Sequence, residues 1–84
     1  MPYYVYILKS ESSGRYYCGS TENPEKRLEQ HNDLTNWFTK TTKRFKGPWK
    51  FFWITELGTR SDAINLEQRI KKRGSKRFLD DLQR

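Results

Sequence analysis

Two short aromatic segments on either side of a glycine turn leave this chain few ways to begin its fold. Residues 3–8 read Tyr-Tyr-Val-Tyr-Ile-Leu, and residues 15–19 continue as Arg-Tyr-Tyr-Cys-Gly. Aromatic and β-branched side chains favour extended strands, and the intervening Ser12-Ser13-Gly14 is typical of a turn. The sequence therefore predicts an antiparallel β-hairpin over this region.

A helix and a third strand are predicted next. Asn23 offers a capping side chain and Pro24 suits the first helical position, so a helix is expected from there to about residue 31 or 32. Residues 34–50 mix lysines and threonines with Gly47-Pro48, which predicts a loop with at most one helical turn. Trp49–Thr55, with Phe-Phe-Trp-Ile at its centre, predicts the third strand.

The last third of the chain predicts two helices. Residues 59–62 match a capping box, which indicates a helix over residues 60–73 that Gly74 ends. Ser75 is expected to cap a last short helix. The order β-β-α-β-α-α indicates an α+β fold, a three-stranded antiparallel sheet flanked by helices, with residues 1–84 forming a single domain.

The charge balance points to a polyanionic partner. The 84 residues include 17 Lys and Arg against 10 Asp and Glu, for a net charge of +7. Nucleic acid is the simplest partner, an anionic membrane surface comes second, and solubility alone is the remaining explanation. Six basic residues in stretches without acidic side chains are predicted to contact phosphates, with little sequence specificity: Lys40, Lys43, Arg44, Lys46, Lys71 and Lys72.

Cysteine usage and hydropathy indicate the compartment. Cys18 is the only cysteine of the chain, so no intrachain disulfide can form, which fits a reducing environment. The longest uncharged apolar run, Tyr3–Leu8, is far shorter than the roughly 20 residues of a membrane span. We therefore expect a cytoplasmic protein, without a signal peptide, a membrane partner or a disulfide-linked partner, and favour a monomer.

Arg27 and His31 form the first candidate functional pair. They are four residues apart on the predicted first helix, so they project from the same face. They flank Leu28, the one strongly apolar residue of that helix and the one expected to pack on the sheet. The pair would present a guanidinium and an imidazole beside a surface groove. The alternative is an ordinary solvated polar face.

Glu67 is the second candidate. At about 100° per residue, Ala63, Ile64, Leu66 and Ile70 form an apolar arc of the predicted long helix, and Glu67 falls inside it. A carboxylate there costs free energy unless it is paired or binds a metal. Two interpretations stay open: a salt-bridged or snorkelling glutamate, or a ligand of Mg²⁺, which uses one or two protein carboxylates and keeps several waters.

The order of these features resembles the GIY-YIG nuclease family, in particular its small stand-alone bacterial members, which are related to the nuclease domain of the excinuclease. Tyr4-Val5-Tyr6 resembles the GIY element and Tyr17-Cys18-Gly19 the YIG element, although a tyrosine replaces the first glycine and a cysteine the isoleucine. Arg27 and His31 match the positions on the helix that follows, and Glu67 matches the later glutamate. The resemblance covers nearly the whole chain.

The resemblance implies metal-dependent hydrolysis of phosphodiester bonds, in DNA rather than RNA, with a single Mg²⁺ or Mn²⁺ ion. Glu67 would hold the metal, Arg27 would neutralise charge on the phosphorus, and Tyr17 would orient water or phosphate. Tyr6 would deprotonate the attacking water and His31 would relay the proton. Because a phenol has a pKa near 10, His31 becomes the base if its surroundings do not lower the pKa of Tyr6. All five are expected to line one concave patch on one side of the sheet, and a Glu67 carboxylate on the face opposite the Tyr6 hydroxyl would contradict the nuclease hypothesis.

Two other functions are compatible with the sequence. The first is a non-catalytic nucleic-acid-binding module, in which Tyr4, Tyr6, Tyr17 or Trp53 would stack on single-stranded bases. Such a module has no need of an arginine–histidine pair or a glutamate in an apolar arc. The second is a small protein-interaction domain, for which the positive charge would be incidental.

Replacing Lys43 and Arg44 together with alanine tests whether the first basic stretch contacts phosphates. Each lost contact on duplex DNA should make the slope of log affinity against log salt shallower by about 0.9, because fewer counterions are released. Fluorescence anisotropy over a salt series, on several DNA sequences, measures this. Binding that does not depend on salt, or a loss confined to one sequence, would argue against contacts to the backbone.

Overall fold

The structure, a computed structural model, describes residues 2–32 and 48–83, which form a three-stranded antiparallel sheet and three helices. The strands are β1 (Tyr3–Ser10), β2 (Tyr16–Thr21) and β3 (Trp49–Leu57). The helices are α1 (Pro24–Asn32), α2 (Arg60–Arg73) and α3 (Ser75–Leu82). The predicted α+β fold and the order β-β-α-β-α-α are confirmed. Within the described residues, no helix combines the length and apolar character needed to cross a membrane.

β1 is the centre of the sheet, whose strand order is β2-β1-β3. Residues 5–8 are at most 1% exposed, because both faces of this strand are covered. Alternation along the strand sends Val5 and Ile7 to one face and Tyr6 and Leu8 to the other. An irregularity between Ile7 and Leu8 shifts the pairing with β3, so that Ile7 lies opposite Trp53 and Leu8 opposite Phe51.

The two faces carry separate hydrophobic clusters. On the first face, residues of α2 and α3 pack against Val5, Ile7 and Cys18, and this cluster also buries Ala63, Ile70 and Leu79. Cys18 is 4% exposed and fills the place of an apolar side chain. On the second face, Leu28 of α1 packs against Tyr6, Leu8 and Trp49. Helices α1 and α2 therefore lie on opposite faces of the sheet.

Local signals set most of the element boundaries. Gly14 has a φ of 73° in the hairpin turn, where its N–H donates to the carbonyl of Ser10 at 2.9 Å. Thr59 Oγ1 accepts from the Asp62 N–H at 3.1 Å, and Gly74, with a φ of 96°, ends α2. The predicted turn at Gly14, the cap at Thr59 and the end of α2 at Gly74 are confirmed. β3 extends to Leu57, two residues beyond its predicted end.

The predicted cap of α3 is wrong. Ser75 is the first residue of the helix, and Gly74 occupies the N-cap position without a side-chain hydrogen bond. The reason is that α2 and α3 follow each other with a single residue between them, so the glycine that ends one helix also begins the next. The predicted loop over residues 34–50 lies mostly outside the described residues.

Gly19 allows a close contact across the hairpin. It lies opposite Tyr6 in the β1–β2 register. A Cβ added at Gly19 would lie 2.5 Å from Tyr6 Oη and 2.7 Å from Tyr6 Cζ, closer than real Cβ atoms approach other heavy atoms. Among the described residues only Gly14 and Gly74 have a positive φ, so Gly19 is required for space rather than for backbone conformation.

Gly19→Ala is expected to push the Tyr6 ring out of place and to lower the free energy of unfolding by about 1–3 kcal/mol, the usual cost of overpacking. Gly58→Ala is the matched control, because a Cβ there meets nothing within 4 Å. Urea denaturation of the two variants and the wild type measures the difference. Equal stability of the two variants would contradict the tight packing of Tyr6 over Gly19.

Candidate functional site

A buried hydrogen bond joins Tyr6 of β1 to His31 of α1. Tyr6 Oη lies 3.0 Å from His31 Nε2, and the two residues are 1% and 3% exposed. Tyr17 lies on the same face of β2 as Gly19, the residue opposite Tyr6. The centroid of its ring is 4.8 Å from that of His31. The structure therefore brings together three of the predicted site residues, and the solvated-face alternative is wrong for His31.

Arg27 adds a cation beside this pair. One turn before His31, its Nη1 donates to Gln30 Oε1 at 3.1 Å. Its Nε is buried and has no hydrogen-bond partner among the described residues. Arg27 also lines a shallow cleft of about 460 Å³, together with Lys26, Gln30 and residues 21–23. A buried donor without an acceptor is costly, which makes Arg27 a candidate for binding an anion.

The protonation states of Tyr6 and His31 follow from burial and from Arg27. Burial, and then the positive charge of Arg27, lower the pKa of His31 from 6.5 to about 4. Burial raises the pKa of Tyr6 well above its ordinary value of 10.0, an effect that Arg27 offsets only in part and that Tyr17 and Glu67 reinforce. At neutral pH the two groups are therefore an uncharged pair, in which a Tyr6 hydroxyl can donate to His31 Nε2.

Glu67 is held at the edge of β2 by two partners. Ser20 Oγ donates to Glu67 Oε1 at 2.5 Å, and Lys71 Nζ lies 2.7 Å from Glu67 Oε2. Partial burial lowers the pKa of Lys71, but the hydrogen bond to Glu67 and its charge outweigh this, so that the pKa is raised overall. The position of Glu67 in an apolar arc is thus explained by these partners, as the salt-bridged interpretation expected.

Glu67 approaches the other residues from the opposite face of the sheet. Ser20 follows the same alternation as Cys18, whose side chain packs under α2, whereas Tyr17 and Gly19 face α1. The prediction that all five side chains lie on one side of the sheet is therefore wrong for Glu67, and a nuclease site that includes this carboxylate has to be formed around the edge of β2. Because β2 is an edge strand of the described sheet, the charge of the carboxylate acts around that edge and contributes to the raised pKa of Tyr6.

Lys71 links Glu67 to the remaining site residues. Its ammonium lies 5.9 Å from the centroid of the Tyr17 ring while it is paired with Glu67. We name the set Tyr6, Tyr17, Arg27, His31 and Glu67 the candidate patch. It is built from both hairpin strands and from helices on both faces.

Local contacts orient the two helices that carry the candidate patch. Asn23 Oδ1 caps α1 by accepting the Lys26 N–H at 3.1 Å. At the other end of α1, Asn32 pairs with the backbone of Trp49, accepting its N–H at 2.7 Å and donating to its carbonyl at 3.0 Å. His31 is therefore next to a residue that ties α1 to the start of β3. This tie and the Ser20–Glu67 contact were not predicted, since only the fold brings these residues together.

The carboxylate of the candidate patch suits one kind of metal ion better than another. Within the described residues no group of three or more His, Cys, Asp or Glu is arranged to hold a metal ion, which speaks against a zinc-type cage in this part of the chain. Glu67 is one carboxylate, its side chain 19% exposed and anchored by Ser20. That set fits an ion such as Mg²⁺, which takes one or two protein carboxylates and completes its shell with water and phosphate oxygens.

The four aromatic residues considered for base stacking do not all lie on one exposed surface. Tyr6 is 1% exposed, so it cannot stack on a base. Trp53 lies on the opposite face from Tyr6 and Tyr17, with its ring 5.1 Å from that of Phe78 in α3. Burial and strand alternation therefore remove Tyr6 and Trp53 from a common stacking surface, whereas Tyr4 and Tyr17 are half-buried on the face that carries α1.

The predicted phosphate contacts divide into two groups. Lys40, Lys43, Arg44 and Lys46 lie outside the described residues. Lys71 pairs with Glu67, and its neighbour Lys72 is exposed on α2. A contact with phosphate stays a prediction for all of them.

Three comparisons relate the chain to known proteins. The family model described as the GIY-YIG catalytic domain matches residues 2–79. The structure-specific endonuclease subunit SLX1 of Meyerozyma guilliermondii is 42% identical over 72 residues, which make up 82% of this chain and 24% of that protein. A UPF0213 protein of Aeromonas hydrophila is 31% identical over 80 residues, or 95% of this chain and 55% of the relative.

A solved structure has the same fold. The solution NMR structure of a UPF0213 protein from Bacillus halodurans superposes with a TM-score of 0.57 at 25% identity, covering 98% of this chain and 85% of that one. Among the curated relatives, the chain spans 24% and 22% of the length of the SLX1 proteins from Meyerozyma guilliermondii and Phaeosphaeria nodorum.

The buried, uncharged state of His31 predicts how stability depends on pH. Its pKa is about 4 in the folded protein and 6.5 ordinarily, so the unfolded chain binds more protons between these values. Burial of the neutral imidazole therefore stabilises the fold fully only above about pH 6.5. As the pH falls towards about 4, the free energy of unfolding decreases by about 2–3 kcal/mol. Urea denaturation at pH 7.5 and 4.5 measures the loss. His31→Gln, which has no such group, should lose less than the wild type, and an equal loss would contradict the prediction.

Proposed function

The chain belongs to the GIY-YIG family, and we propose that it is a divalent-metal-dependent endonuclease that hydrolyses phosphodiester bonds in DNA with little sequence specificity. The candidate patch is the proposed site of reaction. The arrangement of Arg27 beside the Tyr6–His31 pair is the observation that carries this proposal.

Arg27 is suited to bind the phosphate that is cleaved. Its Nε–H is buried and lacks an acceptor among the described residues, while Arg27 lines the cleft beside α1. A phosphate oxygen would supply that acceptor and would form a charge-assisted hydrogen bond with a planar group that matches its geometry. The same contact would strengthen as negative charge develops on the phosphate in the transition state.

His31 is proposed as the proton acceptor, with Tyr6 as its hydrogen-bonded partner. The pKa of Tyr6 is raised, so its phenol stays protonated, whereas His31 is uncharged at neutral pH and can receive a proton. A phosphate bound at Arg27 would offset the positive charge that helps to lower the pKa of His31, which would make the imidazole a stronger base. Proton transfer from water through the Tyr6 hydroxyl to His31 Nε2 then needs no ionised phenol in the resting protein.

Glu67 is the proposed ligand of one Mg²⁺ or Mn²⁺ ion. Its single, anchored carboxylate fits an ion that keeps most of its shell for water and phosphate. When bound, the ion would act as a Lewis acid on the phosphate and stabilise the leaving oxygen. Tyr17, which contacts His31 on one side and Lys71 on the other, would orient the water or the phosphate.

DNA is proposed as the substrate on the grounds of charge and family. The net charge of +7 favours a polyanion, and relatives such as SLX1 carry the name of structure-specific endonuclease subunits. That name favours recognition of DNA structure over base sequence. A cytoplasmic location and a monomeric state remain predictions from the sequence.

The proposed roles predict different effects of Glu67→Gln and Arg27→Ala. Glu67→Gln should abolish cleavage while leaving DNA affinity nearly unchanged, because it removes the metal ligand and no positive charge. Arg27→Ala should lower kcat on the order of 100-fold or more, and more than it raises KM, because its contact is strongest in the transition state. Cleavage of labelled branched, linear and single-stranded DNA in Mg²⁺, Mn²⁺ or EDTA measures both.

Glu29→Gln is the matched control for Glu67→Gln. It removes the same charge from an exposed position on α1, and it should cleave as the wild type does. All variants are checked by thermal melting, so that loss of cleavage is separated from loss of fold. Cleavage by Glu67→Gln near the wild-type rate in Mg²⁺, or wild-type cleavage that persists in EDTA, would overturn the proposed metal-dependent role.

A further inference from the structure

We infer that Lys71 competes with the divalent cation for Glu67 and thereby sets the metal affinity of the candidate patch. The inference rests on the proposed function, in which Glu67 is the metal ligand. It gives Lys71 a role as a positioning residue, in place of the general phosphate contact that the sequence predicts.

Each carboxylate oxygen of Glu67 has a partner in the protein. Ser20 donates to Oε1, and the Lys71 ammonium contacts Oε2 at 2.7 Å. Both oxygens are therefore engaged by the protein. A divalent cation bound directly to the carboxylate has to share or displace one of these donors, because Mg²⁺ binds oxygen at about 2.0–2.1 Å and two cations so close repel each other.

The two donors to Glu67 differ in how easily a cation could displace them. Ser20 has a short side chain fixed on β2, so its hydroxyl has little freedom to move. Lys71 has a long flexible stem, and its side chain is 51% exposed, so the ammonium can leave Glu67 for solvent at small cost. Ser20 is thus suited to keep the carboxylate in position and Lys71 to be displaced.

Lys71 contacts Glu67 from the side of the Tyr17 ring. The ammonium pairs with Oε2 and lies 5.9 Å from the centroid of the Tyr17 ring. Tyr17 in turn contacts His31. Lys71 therefore lies between Glu67 and the residues of the candidate patch on the other face, so a cation that binds Glu67 from the side of Tyr17 would meet the ammonium.

Binding of Mn²⁺ to the full chain without DNA tests the inference, with free Mn²⁺ followed by electron paramagnetic resonance. Lys71→Met should bind Mn²⁺ about five-fold more tightly than Lys72→Met, because an ion pair of this kind is worth up to about 1 kcal/mol. Lys72→Met removes the same charge from the neighbouring exposed residue and therefore controls for net charge. Lys71→Arg, which keeps a cation at the position, should bind as the wild type does.

The outcomes separate this inference from the proposed function. Glu67→Gln should lose Mn²⁺ binding, and if it does while Lys71→Met and Lys72→Met bind equally, the inference is overturned and the metal role of Glu67 stands. Mn²⁺ binding that is unchanged in Glu67→Gln, or absent from the wild type, overturns both. Melting curves check that each variant is folded, and Lys71→Gln replaces Lys71→Met should the methionine variant be unfolded.

Discussion

The contact between Tyr6 and His31 depends on the missing side chain of Gly19, and the geometry of the site depends on that contact. The β1–β2 register places the Tyr6 ring over Gly19, where a Cβ would lie 2.5 Å from the phenol oxygen. The hydroxyl is then 3.0 Å from His31 Nε2 on α1. Since Asn32 ties the end of the same helix to Trp49, α1 is held between the hairpin and β3. The position of Arg27 follows from this.

Burial of an uncharged pair beside an arginine has an electrostatic consequence. Desolvation favours the neutral forms of Tyr6 and His31, and the charge of Arg27 disfavours a second cation at His31. A protein selected for stability alone has little reason to bury a guanidinium nitrogen without an acceptor, because such groups are rare and costly. The buried Arg27 Nε beside the buried Tyr6–His31 pair is typical of sites where a protein gives up stability for function.

The sequence predicts well what local interactions determine. Thr59 and Gly74 mark the ends of α2 because their signals act within a few residues, and the strands follow from alternation of apolar side chains. It predicts poorly what the packing of distant elements determines. The sequence left open whether His31 faces a groove or solvent, and the Ser20 hydroxyl gave no sign that it would hold a glutamate 47 positions away. The burial of Tyr6 and the position of Trp53 on the other face were not predicted for the same reason, since they depend on which helix covers which face.

The edge position of β2 explains how a small domain accommodates so many polar groups. A charged residue in the middle of the sheet would have to be buried between α1 and α2, and residues 5–8 of β1 are indeed apolar apart from the Tyr6 hydroxyl. At the edge of β2, by contrast, Arg27 can approach from one face and Glu67 from the other without either crossing the core. Glu67 is therefore held at the edge of the sheet, and its partner Lys71 lies 5.9 Å from the centroid of the Tyr17 ring, on the face that carries Arg27.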